Sequence, residues 1–313
     1  MKVRIIMVSK QAMVLIMLLV IGIILTSIFF SFTKTPQDLS SLPTSSSVGN
    51  DKVLKKDLNG DGQEDILYIT TKNNKYYMQV NSNNKSFFLE PNKKLNTVGT
   101  YSNFWPMGIT LLDLSRDRIP EILVQASQDN VPIQHIFKWE TDSFKDIFSS
   151  TNNVFGVIDS KNNKTPKLVS MTIKNGALNV QQYMIIGDEL KNCTYENYPI
   201  LGLENVMLFI DLIESTGEIE KLYDIFKSSL SQDELSILWK LGKTDYMFEF
   251  QDAFFQDTKW DKNGKTEEIQ WILNFKKALI HEKDSPSQIK IQITLGAEGD
   301  MFKIGVIKLE KAK

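Results

Sequence analysis

Hydrophobic and polar positions change rhythm three times along the chain. Ala12 to Phe32 is an unbroken uncharged run of 21 residues. From about residue 51 to 200, short apolar stretches alternate with polar neighbours between Asn-, Asp- and Gly-rich breaks, the period-two pattern of half-buried strands. Three such units follow one another. The first has strands Ile66 to Thr71, Tyr76 to Val80 and Ser86 to Leu89, with turns at Asn73-Asn74-Lys75 and Asn81-Ser82-Asn83-Asn84. The second has strands Ile122 to Gln125, Ile133 to Trp139 and Phe144 to Phe148. In the third, Leu168 to Ile173 meets Ala177 to Tyr183 across Asn175-Gly176, a dipeptide suited to the left-handed positions of a tight hairpin.

After Gly202 the spacing becomes helical. Val206, Phe209, Ile210 and Ile213 share one helix face, and Ile219, Leu222, Ile225 and Phe226 extend the pattern beyond Gly217. A second helix begins at Ser231, which forms a capping box with Glu234 and presents Leu235, Leu238 and Trp239 together. Alternation then returns in Phe248, Phe250 and Phe254-Phe255, and after a turn at Asn263-Gly264 in Ile269, Trp271, Leu273 and Phe275. Ile289 to Leu295 and Phe302 to Leu309 complete a four-strand antiparallel meander whose one face the two helices cover.

Each of the three β units opens with an oxygen-rich loop. In the run from Asp57 to Asp65, Asp57, Asn59 and Asp61 stand at positions one, three and five, Gly62 permits the sharp bend, and Asp65 at position nine closes the set. Carboxylates and amides at alternate positions, with the Gln63 carbonyl as a further donor, are the ligands a hard cation such as Ca²⁺ selects. An EF-hand is excluded because position twelve is Tyr68 rather than Glu and a strand, not a helix, follows. A second copy keeps Asp113, Ser115, Asp117 and Glu121 but has Arg118 in place of the glycine. It is a possible second metal loop. A third, Asp159 to Lys167, carries Lys161 and Lys167 at ligand positions, which opposes a divalent ion; it is expected to be metal-free, its turn held by hydrogen bonds and Pro166.

The first loop matches every specified position of D-x-[DN]-x-D-G-x-x-D and so resembles the FG-GAP/VCBS-type repeats of integrin-like β-propellers and bacterial surface proteins. The resemblance spans about residues 51 to 190. It implies blade-like β units, bound Ca²⁺, and recognition of protein or carbohydrate. The loops start 56 and 46 residues apart, a spacing suited to propeller blades. Three units are too few for a closed seven-bladed ring, which leaves either a short open stack capped by the C-terminal part or an array completed by oligomerisation.

The apolar run at the N-terminus would make a helix roughly 31 Å long, enough for a bilayer core of about 30 Å. Lys2, Arg4 and Lys10 precede it, so the positive-inside rule places the start of the chain in the cytoplasm and the bulk outside. A cleaved signal peptide is the competing reading, but the run exceeds the usual apolar core and no small-x-small site stands out. The Ser-, Thr- and Pro-rich stretch after it reads as a flexible tether. The expected organisation is a cytoplasmic N-terminus (1–11), a transmembrane anchor (12–32), a linker (33–50), three all-β repeats (51–200) and an α+β domain of two helices on an antiparallel sheet (201–313).

Charge and chemistry narrow the function further. A net charge of −2, from 36 basic and 38 acidic residues, points away from nucleic acid. Cys193 is the single cysteine, so no disulfide forms within the chain, and Ca²⁺ is the expected staple of an extracytoplasmic domain. His135 and His281 are the only histidines and neither has a partner at metal-ligand spacing. No G-x-S-x-G, H-E-x-x-H, P-loop or dinucleotide fingerprint occurs. The expectation is a binding or scaffold protein, not an enzyme. Tyr101, Phe104 and Trp105, between the first two units, are the candidate ligand surface. The rival is an envelope hydrolase using a carboxylate pair among Glu249, Asp252 and Asp257, or Asp211 and Glu214, the last two read as solvated.

Overall fold

The computed structural model describes residues 52–160, 164–174, 176–196, 198–217, 219, 222–281 and 286–310, with positions 11 and 17 and the backbone of 46–47. The chain divides into two units, Met1–Thr44 and Ser45–Lys313. Among the described residues, three sheets and two helices lie in the second. Among the described residues no helix is long and apolar enough to cross a membrane. The run from Ala12 to Phe32 lies outside them apart from Met17.

Each repeat is a four-stranded antiparallel meander with its oxygen-rich loop between the first and second strands. The first comprises β2 (Lys52–Lys56), β3 (Asp65–Lys72), β4 (Lys75–Ser82) and β5 (Lys85–Phe88). The second comprises β6 (Gly108–Leu112), β7 (Glu121–Gln128), β8 (Val131–Glu140) and β9 (Ser143–Ser150). The third comprises β10 (Val154–Ile158), β11 (Lys167–Lys174), β12 (Ala177–Ile186) and β13 (Glu189–Asn192). The leading strand of each unit is the one that alternation does not reveal. Lys52–Lys56 is largely polar, whereas Val154–Ile158 is buried along its whole length, so neither carries a period of two. Ser46–Ser47, inside the expected tether, forms a two-residue strand (β1) on the edge of β6.

The two α-helices described in the second unit are α1 (Leu203–Glu214) and α2 (Gln232–Lys240). The capping box at α2 is present: Ser231 Oγ accepts from the Glu234 N–H at 3.2 Å, and the Glu234 side chain returns to the Ser231 backbone N–H. The helical spacing beyond Gly217 does not continue α1. The helix stops at Ser215, Gly217 has φ +82°, and Lys243 donates to the last-turn carbonyl of Leu212 and to Ser215 Oγ, both at 2.6 Å. An ammonium at a helix C-terminus satisfies orphan acceptors and complements the macrodipole. Residues 225–227 instead run alongside the last strand, exchanging backbone hydrogen bonds with Ile304 on both sides.

The C-terminal meander is β14 (Tyr246–Trp260), β15 (Thr266–Leu279), β16 (Ser287–Glu298) and β17 (Met301–Glu310). It is not a separate sheet. β10 pairs in parallel with β14, so the third repeat and the meander form one eight-stranded sheet that crosses residue 200. Gly156 makes this seam possible: a Cβ there would lie 2.0 Å from the ring of Phe255, which itself stacks on Trp271 at 4.1 Å. One core, centred on Val206, Phe209, Trp271 and Phe275, lies between the helices and this sheet. A second joins the first two repeats through Leu67, Met78, Ile109 and Phe137.

Candidate functional site

The first two loops share one hydrogen-bond frame. The N–H at position two reaches the acid at position nine, Leu58 to Asp65 Oδ2 and Leu114 to Glu121 Oε2, at 2.8 and 2.7 Å. The N–H at position six reaches the acid at position one, Gly62 to Asp57 Oδ2 at 2.9 Å and Arg118 to Asp113 Oδ2 at 3.0 Å. The N–H at position seven reaches Asp61 Oδ1 or Asp117 Oδ1, at 2.8 Å in each. Position six has positive φ in both loops, +83° at Gly62 and +77° at Arg118. The arginine accepts a left-handed backbone where the first loop uses the residue with no penalty there.

The loops are also neighbours. A Cβ at Gly60 would lie 2.6 Å from Cδ1 of Ile119, so the first loop rests on the second. Arg116 donates to the Asp159 carbonyl at 3.0 Å, which joins the second to the third. In the third loop the frame is replaced. The N–H groups of Asp159 and Ser160 turn to Asp257 on β14, at 2.8 and 3.0 Å. Asp257 is fully buried and so acts as a structural acceptor.

Electrostatics separate the three loops. Among the described residues Asp57, Asp61 and Asp65 have no ion-pair partner; Asp61 accepts from the amides of Asn59 and Asn83 instead. In the second loop Lys138 Nζ lies 3.0 Å from Asp117 Oδ2 and 4.0 Å from Glu121 Oε1. Burial pushes the Asp117 carboxyl up, but the Ile119 N–H and the Lys138 ammonium outweigh it and hold it below its ordinary value. Glu121, deeper, is pushed up by burial despite the same ammonium. In the third loop Lys167 at position nine lies 2.5 Å from Asp159 Oδ2.

The donor set of the first loop suits a hard cation: it is all oxygen and, among the described residues, its acids pair with no ammonium. Asp57, Asn59, Asp61 and Asp65 already accept loop N–H groups, yet a carboxylate oxygen has a second lone pair to offer. The acids are spread around the loop rather than gathered. Among the described residues no three His, Cys, Asp or Glu side chains stand close enough to hold a metal by themselves. Asn59 and the Gln63 carbonyl would therefore be needed in any shell.

Tyr101, Phe104 and Trp105 do not form an exposed platform. Trp105 is buried and its indole N–H donates to Asp252 on β14. The Phe104 carbonyl accepts from Gln251 at 2.8 Å, and Tyr101 meets Tyr76 edge to face. These rings fasten the connection between the first two repeats, because an apolar ring with a single N–H is stable in a dry interface that offers one acceptor. Asp252 is buried, and burial pushes its carboxyl up to about 6.

Two cavities accompany these features. One of about 190 Å³ lies beside the first loop, lined by Asn59, Ser82, Asn83, Phe87, Trp139 and Asp142 among others. Phe87 and Trp139 meet there edge to face at 5.1 Å. The other, about 320 Å³, lies between α1, β14 and the hairpin ends of the second and third repeats, and Trp105, Asp211, Glu214 and Glu249 border it. Glu214 is not solvated as its helix position implied. It accepts the Phe250 N–H at 2.7 Å, and burial, with Asp211 and Glu249 nearby, raises its carboxyl above the usual range. His135 is fully buried in a hydrogen-bonded structural role, His281 is exposed, and Cys193 is buried, its thiol pushed up by burial.

Residues 57–124 match the family described as an FG-GAP-like repeat. That stretch contains the first repeat without its leading strand β2, then β6, the whole first and second loops, and the start of β7. No curated protein matches the chain. The match covers a repeat-bearing part of a mostly β fold that carries two helices among the described residues.

Proposed function

We propose that this protein is a membrane-anchored, extracytoplasmic binding or scaffold module. In this reading residues 12–32 cross the bilayer, residues 1–11 lie in the cytoplasm, and Ca²⁺ stabilises the first repeat. The observation that carries it is the oxygen set of Asp57, Asn59, Asp61 and Asp65 on one short loop, anionic and without an ammonium partner among the described residues. A bound Ca²⁺ would neutralise these acids and tie β2 to β3. An ion that binds only the folded loop adds about 2.7 kcal/mol at a hundredfold excess over its Kd. The cleft beside this loop, with Trp139 and Phe87 next to amide and carboxylate groups, suits a carbohydrate or a protein strand. The test is thermal melting of the wild type and Asp61→Ala with Ca²⁺ and with chelator. A wild-type melting temperature indifferent to both would remove the metal. Screening against glycans and peptidoglycan, with Trp139→Ala as control, addresses the ligand, and equal binding by that variant would exclude the cleft.

A second reading is favoured by the larger cavity, where Glu214 and Glu249 meet Asp211. Glycoside hydrolysis uses two carboxyl groups, the acid of the pair with raised affinity for its proton, and burial raises that of Glu214. Hydrolysis of cell-wall polysaccharide that Glu214→Gln abolishes without lowering the melting temperature would establish it; no turnover by the wild type would end it.

A further inference from the structure

We propose that the ammonium of Lys138 is a tethered cation standing in the place of a divalent ion, so that the second loop is a latent metal site closed by the protein's own side chain. The inference deepens the calcium reading and rests on it for the nature of the ion. Pairing of Ile66 with Asn81 and of Ile122 with Phe137 puts Ser82 opposite Asp65 and Lys138 opposite Glu121, one step further along each hairpin. The two loops thus share a frame and differ in the residue that faces position nine. In the first that residue is neutral, and Ser82 Oγ accepts from Asn59 at 2.8 Å. In the second it is an almost wholly buried lysine, its ammonium shared between Asp117, Glu121 and, at 3.8 Å, Asp188.

An ammonium has three N–H donors, whereas Ca²⁺ takes six to eight oxygens. A lysine in the ion's place must therefore leave acceptors unfilled, and it does. Asp113 Oδ1 and Glu121 Oε1 are buried without a hydrogen-bond partner, at positions one and nine of the loop, while the Ser115 hydroxyl at position three lies against the carboxylates of Asp117 and Glu121. The third loop reaches the same end by another route, since Lys167, itself at position nine, donates to Asp159 and, at 3.2 Å, to the Thr165 carbonyl. The two lysines come from different positions in their repeats, so the recurrence follows the charge of the loop and not a copied residue.

The full-length protein in detergent is titrated calorimetrically with CaCl₂ and melted in EGTA and in excess Ca²⁺, as wild type, Lys138→Ser, Lys138→Gln, Asp113→Asn and Lys138→Ser with Asp113→Asn. Lys138→Ser is expected to bind one more Ca²⁺ than the wild type, to melt lower in EGTA and to recover in Ca²⁺; the added Asp113→Asn should abolish the gain. Lys138→Gln keeps a donor for Asp117 if the serine variant does not fold, and its melting should become more Ca²⁺-dependent than that of the wild type. If no Lys138 variant gains an ion or a Ca²⁺-dependent rise in melting, the proposal is overturned. It is equally overturned if Asp113→Asn alone removes an ion from the wild type, since the second loop would then bind metal beside Lys138. A wild type that binds no ion while Lys138→Ser binds one would remove the first-loop reading and leave this one standing.

Discussion

Nδ1 of His135 lies 2.7 Å from Oδ2 of Asp146, and both side chains are sealed from water. Nε2 of the same ring lies 2.7 Å from the Thr97 carbonyl, which only accepts, so that nitrogen carries a hydrogen. Asp146 Oδ2 also accepts the Asn92 N–H at 2.7 Å. Two residues of the second repeat thereby pin both ends of residues 92–97, the start of its connection to the first. Removing one member leaves buried polar atoms of the other without their partner, at a cost of about 1–3 kcal/mol. His135→Ala should lower urea stability by that order, and His135→Ala with Asp146→Ala by less than the sum of the single changes. Strict additivity would mean that the pair does not act together.

Asp252 makes stability depend on pH. Its carboxyl rises from 3.8 in the unfolded chain to about 6 in the fold. Between those values the folded state holds the proton more tightly, so this residue favours folding more as pH falls from 7 to 4 and less as pH rises through 6. The gap corresponds to roughly 2–3 kcal/mol. The melting temperature of the wild type relative to Asp252→Asn should therefore shift in favour of the wild type at pH 4. A constant difference across that range would show that Asp252 is ionised throughout.

Gly60 and Gly62 both have positive φ but different surroundings. A Cβ at Gly60 meets Ile119, whereas one at Gly62 meets nothing within 4 Å. Gly62→Ala should cost only the left-handed backbone term, about 1 kcal/mol. Gly60→Ala adds the clash with the second loop, and Ile119→Ala in the same chain should relieve part of it. Equal losses for the two glycine variants would mean that the loops do not touch there.

The seam between the third repeat and the C-terminal meander depends on Gly156 against Phe255. Gly156→Ala forces the ring off Trp271, and overpacking of this kind costs about 1–3 kcal/mol or more. Hydrogen exchange should show protection lost along both β10 and β14. Loss confined to β10 would indicate that the two halves do not share one cooperative sheet.

How much was legible follows from the reach of each interaction. The hairpins, the capping box at Ser231 and the oxygen frame of the first loop are written within a few residues, and the structure contains all of them. Leading strands were less legible, since β10 is buried on both faces and has no alternation. The aromatic run Tyr101 to Trp105 read as a surface because its acceptor, Asp252, lies 147 residues away.

By itself the sequence determined the local order of this protein: where strands turn, where a helix is capped, and which nine-residue loops are rich in oxygen-bearing side chains. Those choices depend on backbone conformation and hydrogen bonds between near neighbours. Only the tertiary structure decided which loop is met by an ammonium and which has none paired to its acids among the described residues, because Lys138 reaches Asp117 across a strand pair. It also decided that β10 joins β14, a parallel pairing whose partners lie about a hundred residues apart and which a buried glycine alone makes room for.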